Sequence, residues 1–167
     1  MALIPVGIAL GSNLGDREAE LDAGISFLRY ISATNEVRKS PLIETAPVDC
    51  PPGSAPFLNA VVEIELDSVE MPPLRLLAVL QEFEFRRGRS PLRGINDPRS
   101  LDLDIIYYGV ERIDQLGLIV PHPRAHLRRF VLEPLSFVRP DLVLPGQQKT
   151  VKELLAALKK VNSTRQP

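Results

Sequence analysis

The stretch Leu-Asp-Leu-Asp-Ile-Ile-Tyr-Tyr, residues 101–108, alternates apolar and acidic side chains at its start. A period of two residues is typical of a β-strand, and this is the clearest strand in the chain. Successive side chains of a strand point to opposite faces, so Asp102 and Asp104 should leave from one face. The apolar residues between them should point into the opposite face.

Strand-like and helix-like segments precede and follow this stretch. Strands are predicted at residues 4–10, 37–45 and 57–66, and helices at residues 16–31, 130–138 and 151–161. A further helix is predicted to open at Pro72-Pro73 and to end in Arg86-Arg87-Gly88. Pro41 interrupts the second strand, and residues 90–98 are expected to form a loop. The order β-α-β-β-α-β favours an α+β fold of the ferredoxin-like kind, with helices on one face of an antiparallel sheet. At 167 residues, the chain is predicted to form a single domain, residues 1–167.

Composition argues against several classes of protein. The formal net charge is −1, from 20 basic and 21 acidic residues, so a general nucleic-acid or membrane-surface binder is disfavoured. The single cysteine, Cys50, excludes an internal disulfide. The apolar residues 1–10 are too few to span a membrane, and neither a basic n-region nor a small-residue cleavage site accompanies them. A cytoplasmic protein is therefore expected.

The two aspartates of the clearest strand predict a metal site. Two like charges side by side repel, and a divalent cation would compensate them. Mg²⁺ suits carboxylates and often binds one or two of them together with phosphate oxygens. The alternative is a solvated sheet edge with two exposed acids.

Arginines are concentrated just before that strand, at positions 86, 87, 89, 93 and 99. The planar guanidinium binds phosphate oxygens in a bidentate manner, so these residues beside a metal would hold a polyphosphate. The alternative is a solvated basic loop that balances the aspartates. The glycine-rich residues 11–15 lack the Lys-Ser/Thr of a Walker loop, which argues against the common nucleotide-binding fold.

His122 and His126 are the two histidines of the chain. They have no third metal ligand nearby in sequence, and a loop histidine is more often an ordinary polar group. Beside bound phosphates, His122 would donate a hydrogen bond and Arg128 would supply a further positive charge.

Blocks spread over nearly the whole chain resemble the 6-hydroxymethyl-7,8-dihydropterin pyrophosphokinase family. The matching blocks are residues 9–16 (ALGSNLGD), 45–47 (TAP), 57–60 (FLNA), 88–89 (GR), 98–105 (PRSLDLDI), 120–123 (VPHP) and 128–135 (RRFVLEPL). Their order and spacing together make the resemblance specific. It implies a ferredoxin-like fold and the transfer of diphosphate from ATP to the hydroxymethyl oxygen of a reduced pterin, with release of AMP, in folate biosynthesis.

The resemblance also implies roles for individual residues. Asp102 and Asp104 would bind two Mg²⁺ ions, and ATP would be the co-substrate. The residues implied in phosphate or ATP contacts are Glu84, Arg93, Arg99, His122 and Arg128, and Arg89 and Arg99 are implied in catalysis with the two aspartates. The residues implied in pterin binding are Thr45, Ala46, Val48, Phe57, Asn59 and Phe130, with the two rings stacking on either side of the pterin. A monomer is expected, with ATP and the pterin as its small-molecule partners.

The chain departs from the family pattern at several positions. The block before the metal-binding strand often reads Trp-Gly-Pro-Arg, whereas residues 96–99 here read Asn-Asp-Pro-Arg. Pro91 and Gly117 stand where arginines are common, and Arg93 is a candidate replacement for one of them. These differences concern loop closure and turnover rate more than the reaction itself.

Two other functions fit parts of the same pattern. One is a ferredoxin-like module that binds a nucleotide or pterin without chemistry, since fold alone does not imply activity. The other is a different Mg-dependent phosphotransferase or nucleotide hydrolase. Joint retention of Asp102, Asp104, Arg99 and His122 argues against the first, and release of AMP rather than ADP would separate the enzymes.

Overall fold

The computed structural model describes residues 2–47, 50–88 and 100–164, and its main sheet is antiparallel throughout. Strand β1 (Leu3–Ser12) lies at the centre, and strands β2 (Arg38–Lys39) and β3 (Ile43–Thr45) lie at one edge. Both edge strands pair with β4 (Phe57–Asp67), which pairs with β1, and β1 pairs in turn with β5 (Asp102–Tyr108). The predicted second strand is thus two short strands separated around Pro41, because proline cannot donate a hydrogen bond to the ladder.

Helices α1 (Arg17–Ile31) and α2 (Pro73–Arg86) follow β1 and β4 in the chain. The resulting β-α-β-β-α-β order, with β4 inserted between β1 and the edge strands, confirms the ferredoxin-like fold. Both helices cover one face of the sheet, where their buried leucines join the apolar residues of β1, β4 and β5. The rings of Phe27 and Phe83 stack with centroids 4.0 Å apart and connect the two helices directly.

The first helix begins where the sequence predicts. Asp16 is its N-cap, and the carboxylate accepts a hydrogen bond from the Ala19 backbone N–H at 3.1 Å. The second helix has Pro73 in its first turn, a position where the missing N–H costs nothing. The starts of α1 and α2 are therefore determined by residues at the helix ends themselves.

The opposite face of the sheet carries the C-terminal part of the chain. A hairpin of β6 (Ile113–Gln115) and β7 (Leu118–Val120) is followed by a 3₁₀ turn, Ala125–Leu127, and by helices α3 (Arg129–Val138) and α4 (Val151–Thr164). Apolar residues of α3 and α4 pack on Val61, Ile106 and Tyr107 of the sheet. The expectation that helices lie on one face is therefore wrong for α3 and α4. The physical reason is that β4 is buried on both sides, so both faces need a cover.

A β-bulge in β5 changes the face of the sheet on which the following side chain lies. The pairing of β1 with β5 shifts between Gly7 and Ile8, and Tyr107 consequently joins the second face. The Tyr107 ring passes over Gly7, where an added Cβ would lie 2.2 Å from a ring carbon. Its hydroxyl donates a hydrogen bond to the buried carboxylate of Glu63, which also accepts one from Arg139 at 2.8 Å. Burial, followed by this hydrogen bond, raises the pKa of Tyr107 well above its ordinary value, so the phenol stays protonated.

Predicted and observed elements agree closely elsewhere in the described ranges. The sequence missed the pairing of β6 with β7 and the 3₁₀ turn, both of which are short. The loop expected at residues 90–98 lies outside the described residues. Among the helices described, none combines the length and the apolar character needed to cross a bilayer.

Candidate active site

The floor of the site is a row of small and polar residues on three neighbouring strands. Asn59 of β4 and Asp102 of β5 both stand opposite Gly11 of β1, and Ala9 stands opposite Asp104. A Cβ at Gly11 would lie 3.4 Å from the Asn59 amide oxygen and 3.5 Å from the Phe57 ring. Because Ala9 and Gly11 have little or no side chain, they leave space above β1 between the Asn59 amide and the two carboxylates.

Asp102 and Asp104 line the same cavity, whereas Leu101, Leu103 and Ile105 are buried in the core on the other face. The predicted alternation of this strand is thus confirmed. Adjacent same-face positions on a strand are about 7 Å apart, a distance that two carboxylates can span with a cation and its ligands between them.

Asp102 and Asp104 could supply part of the oxygen ligands of a Mg²⁺ ion, but not all of them. In the described ranges, no group of three or more His, Cys, Asp or Glu side chains is arranged to hold a metal ion. Two carboxylates alone leave most of an octahedral shell to other oxygen ligands. A cation here would therefore be shared between the protein and a phosphate-bearing substrate.

The cavity above this floor has a volume of about 330 Å³. Its lining includes Ala9, Gly11, Thr45, Ala46, Cys50, Phe57, Asn59, Asp102, Asp104, Arg124, Leu127, Arg128 and Phe130. A pocket that combines apolar and aromatic walls with a few polar groups is typical of a small-molecule site.

Phe57 and Phe130 approach the cavity from different elements. Phe57 begins β4 in the sheet, and Phe130 lies in the first turn of α3, which packs on the same face. The Arg128 guanidinium lies 5.3 Å from the centroid of the Phe130 ring, within cation–π range. A planar group entering the cavity would meet one ring from the sheet and one from the helix.

Asn59 is 5% exposed, and its hydrogen bonds fix the orientation of its amide. The Nδ2 group donates to the Ile43 carbonyl at 3.3 Å and to the Thr45 hydroxyl at 2.7 Å. The amide N–H groups are thereby used by β3, and the oxygen above Gly11 remains an acceptor for a ligand.

His122 is held at the border of the site by two backbone groups. Its own N–H donates to the Ile106 carbonyl of β5 at 2.9 Å, and its Nδ1 accepts from the Arg124 N–H at 3.2 Å. The proton of the neutral ring is therefore on Nε2, which can donate to a ligand oxygen. Burial and the charges of Arg128 and Arg124 lower the pKa of His122, against an opposing effect of Asp102.

A second cavity, of about 640 Å³, lies at the outer edge of β5. It is lined by Leu103 and Ile105, by the β6–β7 hairpin and by His122, and it shares Asp104 with the first cavity. Gly117 forms part of the hairpin turn with φ of +84°, a conformation that favours glycine. The glycine at this departure from the family pattern is thus the residue that the turn requires.

Two residues outside the predicted set hold the wall of the first cavity. Arg17 donates to the Glu44 carboxylate of β3 and to the Pro56 carbonyl, both at 2.9 Å. Asn13 donates to the Ala55 carbonyl at 3.4 Å. Both follow β1, Asn13 in the Gly-Ser-Asn segment and Arg17 at the start of α1. Their partners lie between 27 and 42 residues away, so no local sequence signal could identify them.

None of the other predicted site residues is seen to line the two cavities in the part of the chain that the structure describes. Arg89, Arg93, Arg99 and Val48 lie outside the described residues. Glu84 is 2% exposed and lies on the core-facing side of α2, and it does not line either cavity. The ATP-binding role predicted for Glu84 stays a prediction.

Two arginines of the basic segment have structural partners instead. Arg86 pairs with Glu82 at 2.6 Å, and Arg87 pairs with Glu20 of α1 at 2.8 Å. The first pair lies within α2, and the second connects the end of α2 to α1. The phosphate-binding role of the segment therefore depends on positions 89–99, and it stays a prediction.

Comparison with known proteins identifies relatives over most of the chain. Residues 7–140 match the family described as 7,8-dihydro-6-hydroxymethylpterin-pyrophosphokinase (HPPK). A 2-amino-4-hydroxy-6-hydroxymethyldihydropteridine pyrophosphokinase of Haemophilus influenzae is 40% identical over 146 residues, which cover 87% of this chain and 88% of the relative. The protein of the same name from Bacillus subtilis is 42% identical over 130 residues, covering 77% of this chain and 74% of that protein.

Solved structures give the same result for the fold. A crystal structure of an HPPK-DHPS in complex with substrates has a TM-score of 0.75 at 11% identity, and it covers 96% of this chain. The Plasmodium falciparum HPPK-DHPS with pteroate has a TM-score of 0.71 at 13% identity over 98% of this chain. This chain spans 44% of each of those longer chains. With the family match over residues 7–140 and the extensive identity to its relatives, this chain belongs to the HPPK family.

Proposed function

We propose that this chain transfers a diphosphoryl group from ATP to the hydroxymethyl oxygen of 6-hydroxymethyl-7,8-dihydropterin, with release of AMP. The observation that carries this proposal is the sharing of Asp104 by two cavities, one with aromatic walls and one at the edge of β5. A transfer between two substrates requires both to meet at one point, and a metal-binding carboxylate is well suited to that point.

The pterin fits the first cavity. Its flat ring would lie between Phe57 and Phe130. Stacking against an aromatic face on each side would stabilise the bound ring. The Asn59 oxygen would accept from a donor on the pterin edge, and the amide is held for this by Thr45 and Ile43. Ala46 and Val48 keep the roles implied by the family resemblance.

Asp102 and Asp104 would hold Mg²⁺, with two ions expected from the resemblance. When bound, Mg²⁺ would neutralise charge that develops on the phosphates and would make a nearby hydroxyl more acidic. The protein contributes a carboxylate pair on a rigid central sheet, so its geometry does not have to be created during the reaction.

ATP would extend from this pair into the second cavity. His122 would donate from Nε2 to a phosphate oxygen, and Arg128 would supply positive charge from the wall of the first cavity. The roles of Glu84, Arg89, Arg93 and Arg99 toward ATP remain predictions from the family resemblance.

The reaction balances as a single displacement. The hydroxymethyl oxygen forms a bond to the β-phosphorus, the bond from that phosphorus to the α,β-bridging oxygen breaks, and AMP leaves with that oxygen. The hydroxyl proton is released. The described cavity walls include no obvious general base, so catalysis would depend on positioning and electrostatics.

The decisive experiment is product analysis. The purified chain is incubated with ATP, Mg²⁺ and the pterin alcohol, and nucleotides and pterins are then separated. We expect equal amounts of AMP and pterin diphosphate. Asp102→Asn and Asp104→Asn should each reduce the rate by at least about a hundredfold, as expected when a group that stabilises transition-state charge is lost.

The matched control is Asp22→Asn, because Asp22 is an exposed acid of α1 on the opposite face of the sheet. It should retain wild-type rates. Formation of ADP instead of AMP would contradict diphosphoryl transfer and favour a different phosphotransferase. Binding of both substrates without turnover would favour a binding module. The cytoplasmic location and the monomeric state stay predictions.

A further inference from the structure

Arg124 lines the first cavity, and neither the sequence patterns nor the family resemblance gives it a role. It is an exposed residue that precedes the 3₁₀ turn Ala125–Leu127. Within residues 2–47, 50–88 and 100–164, its guanidinium makes no ion pair and no hydrogen bond, and its backbone makes the contacts that fix the turn. The side chain is therefore available to a ligand.

The turn places Arg124 and Arg128 on the same cavity. The Leu127 N–H donates to the Arg124 carbonyl at 3.0 Å, and the Arg128 N–H donates to the Ala125 carbonyl at 3.3 Å. One short turn thus separates two guanidinium groups that line the same pocket. His122 is close enough to both to be affected by their charge, which agrees with this geometry.

The two aspartates do not neutralise Arg124. An ion pair would require the guanidinium within 4.0 Å of a carboxylate, and no such pair joins Arg124 to Asp102 or Asp104. The cavity lining therefore includes two carboxylates and two arginines, residue types suited to a metal and to phosphate oxygens respectively.

The position of Arg124 indicates which phosphates it would contact. It lines the cavity that holds Phe57 and Phe130, and it is absent from the lining of the second cavity at the edge of β5. A group bound by Arg124 would consequently be attached to the pterin, or would be on its way to it. The adenosine part of ATP is not a candidate.

We propose that Arg124 is a substrate-binding residue that, together with Arg128, holds the transferred diphosphoryl group on the pterin side of the carboxylate pair. This inference rests on the proposed function and adds a residue to its site. Arginine suits the role because its planar fork can bind two phosphate oxygens at once. It would stabilise the diphosphate as it leaves the nucleotide, and it would retain the product.

The test compares two ligands that share the pterin and differ in the diphosphate. Dissociation constants of the pterin alcohol and of the pterin diphosphate are measured by calorimetry with Mg²⁺, for the wild type and for Arg124→Gln. The variant should weaken binding of the diphosphate about tenfold, the size expected for loss of a charged hydrogen bond. Its affinity for the alcohol should change by less than about twofold, because the alcohol offers no phosphate to bind.

Two further variants sharpen the result. Arg124→Lys should recover part of the loss, since a lysine keeps the charge and lacks the planar fork. Arg29→Ala removes an exposed arginine of α1 on the opposite face and should leave both constants unchanged. Thermal unfolding of each variant establishes that it is folded.

The outcomes separate the two proposals. If the wild type forms AMP and binds the diphosphate, but Arg124→Gln changes both ligands equally or neither, then Arg124 does not hold the transferred group. If the wild type does not form AMP, the proposed function is wrong regardless of Arg124. A tenfold loss restricted to the diphosphate supports both.

Discussion

At the scale of single residues, the environment selects one chemical function from several that a side chain offers. Asn59 could donate and accept, but β3 uses its N–H groups and leaves the oxygen. His122 could carry its proton on either nitrogen, and the Arg124 backbone N–H assigns it to Nε2. In both cases a backbone element that lies beside the site determines what a ligand would meet.

The lowered pKa of His122 predicts a pH dependence of stability. The unfolded chain binds a proton at His122 near pH ~6.5, whereas the folded chain does so at lower pH. Stability should therefore be complete above that value and fall as pH decreases toward the folded pKa, by up to about 1.4 kcal/mol per pH unit for one proton. Urea unfolding at about pH 7.5 and 5.5 should show a larger loss for the wild type than for His122→Gln. An equal loss in both would mean that His122 is not the group responsible.

At the scale of elements, the first cavity depends on how the short edge strand β3 and the segment before β4 are attached. Arg17, at the start of α1, contacts both through its guanidinium. The ion pair with Glu44 is partly exposed, so its contribution to overall stability should be small. Its geometric effect is larger, because the same arginine fixes the segment that leads directly into Phe57.

Arg17→Ala should accordingly affect pterin binding more than folding. We expect KM for the pterin to rise about three- to tenfold, with kcat changed less than about twofold and stability changed by less than about 1 kcal/mol. Arg29→Ala, on the same helix, is the control and should match the wild type. Steady-state kinetics and urea unfolding measure these quantities. A fall in kcat at constant KM would show that Arg17 acts on the reaction rather than on the wall.

At the scale of the whole molecule, the two faces of the sheet have different roles. One face packs against α1 and α2 in the core, and the other borders the candidate site. Helices α1 and α2 pack on one face, whereas α3 and α4 pack on the other beside the cavity above Gly11. Asp104 lies where this cavity meets the one at the edge of β5, and Asp102 lines the first cavity beside it. Ligands at this junction would contact β1, β4, β5 and the segment before α3, so binding should stabilise the fold as a unit.

Mg·ATP should therefore raise the free energy of unfolding, by about 2.7 kcal/mol at a hundred times its Kd. ATP with EDTA should stabilise much less, since the carboxylate pair would repel phosphate without a cation. Asp104→Asn should reduce the effect of Mg·ATP, whereas Asp22→Asn should not. Thermal or urea unfolding provides the measurement. Equal stabilisation with and without Mg²⁺ would argue against a metal bridge between the pair and the nucleotide.

Much of this arrangement follows from local sequence. The alternation of residues 101–108 predicts Asp102 and Asp104 on one face, and Pro41 is expected to interrupt the second strand. The sequence offers Asn13 or Asp16 as the cap of α1, and the structure selects Asp16. These predictions succeed because strand periodicity, helix capping and proline geometry depend on neighbouring residues. The sequence blocks that resemble the family could also be identified without a structure, because they depend only on residue identity and order.

The tertiary structure alone decided what depends on distant contacts. It placed α3 and α4 on the second face, because β4 is buried on both sides. It brought Arg17 to Pro56 and Arg124 to the cavity of Phe57, and it turned Tyr107 across Gly7 to Glu63. The sequence by itself therefore determined the fold class and the acidic strand, whose signals are periodic and local. Which residues surround that strand was decided by packing between segments far apart in the chain, for which no local pattern exists.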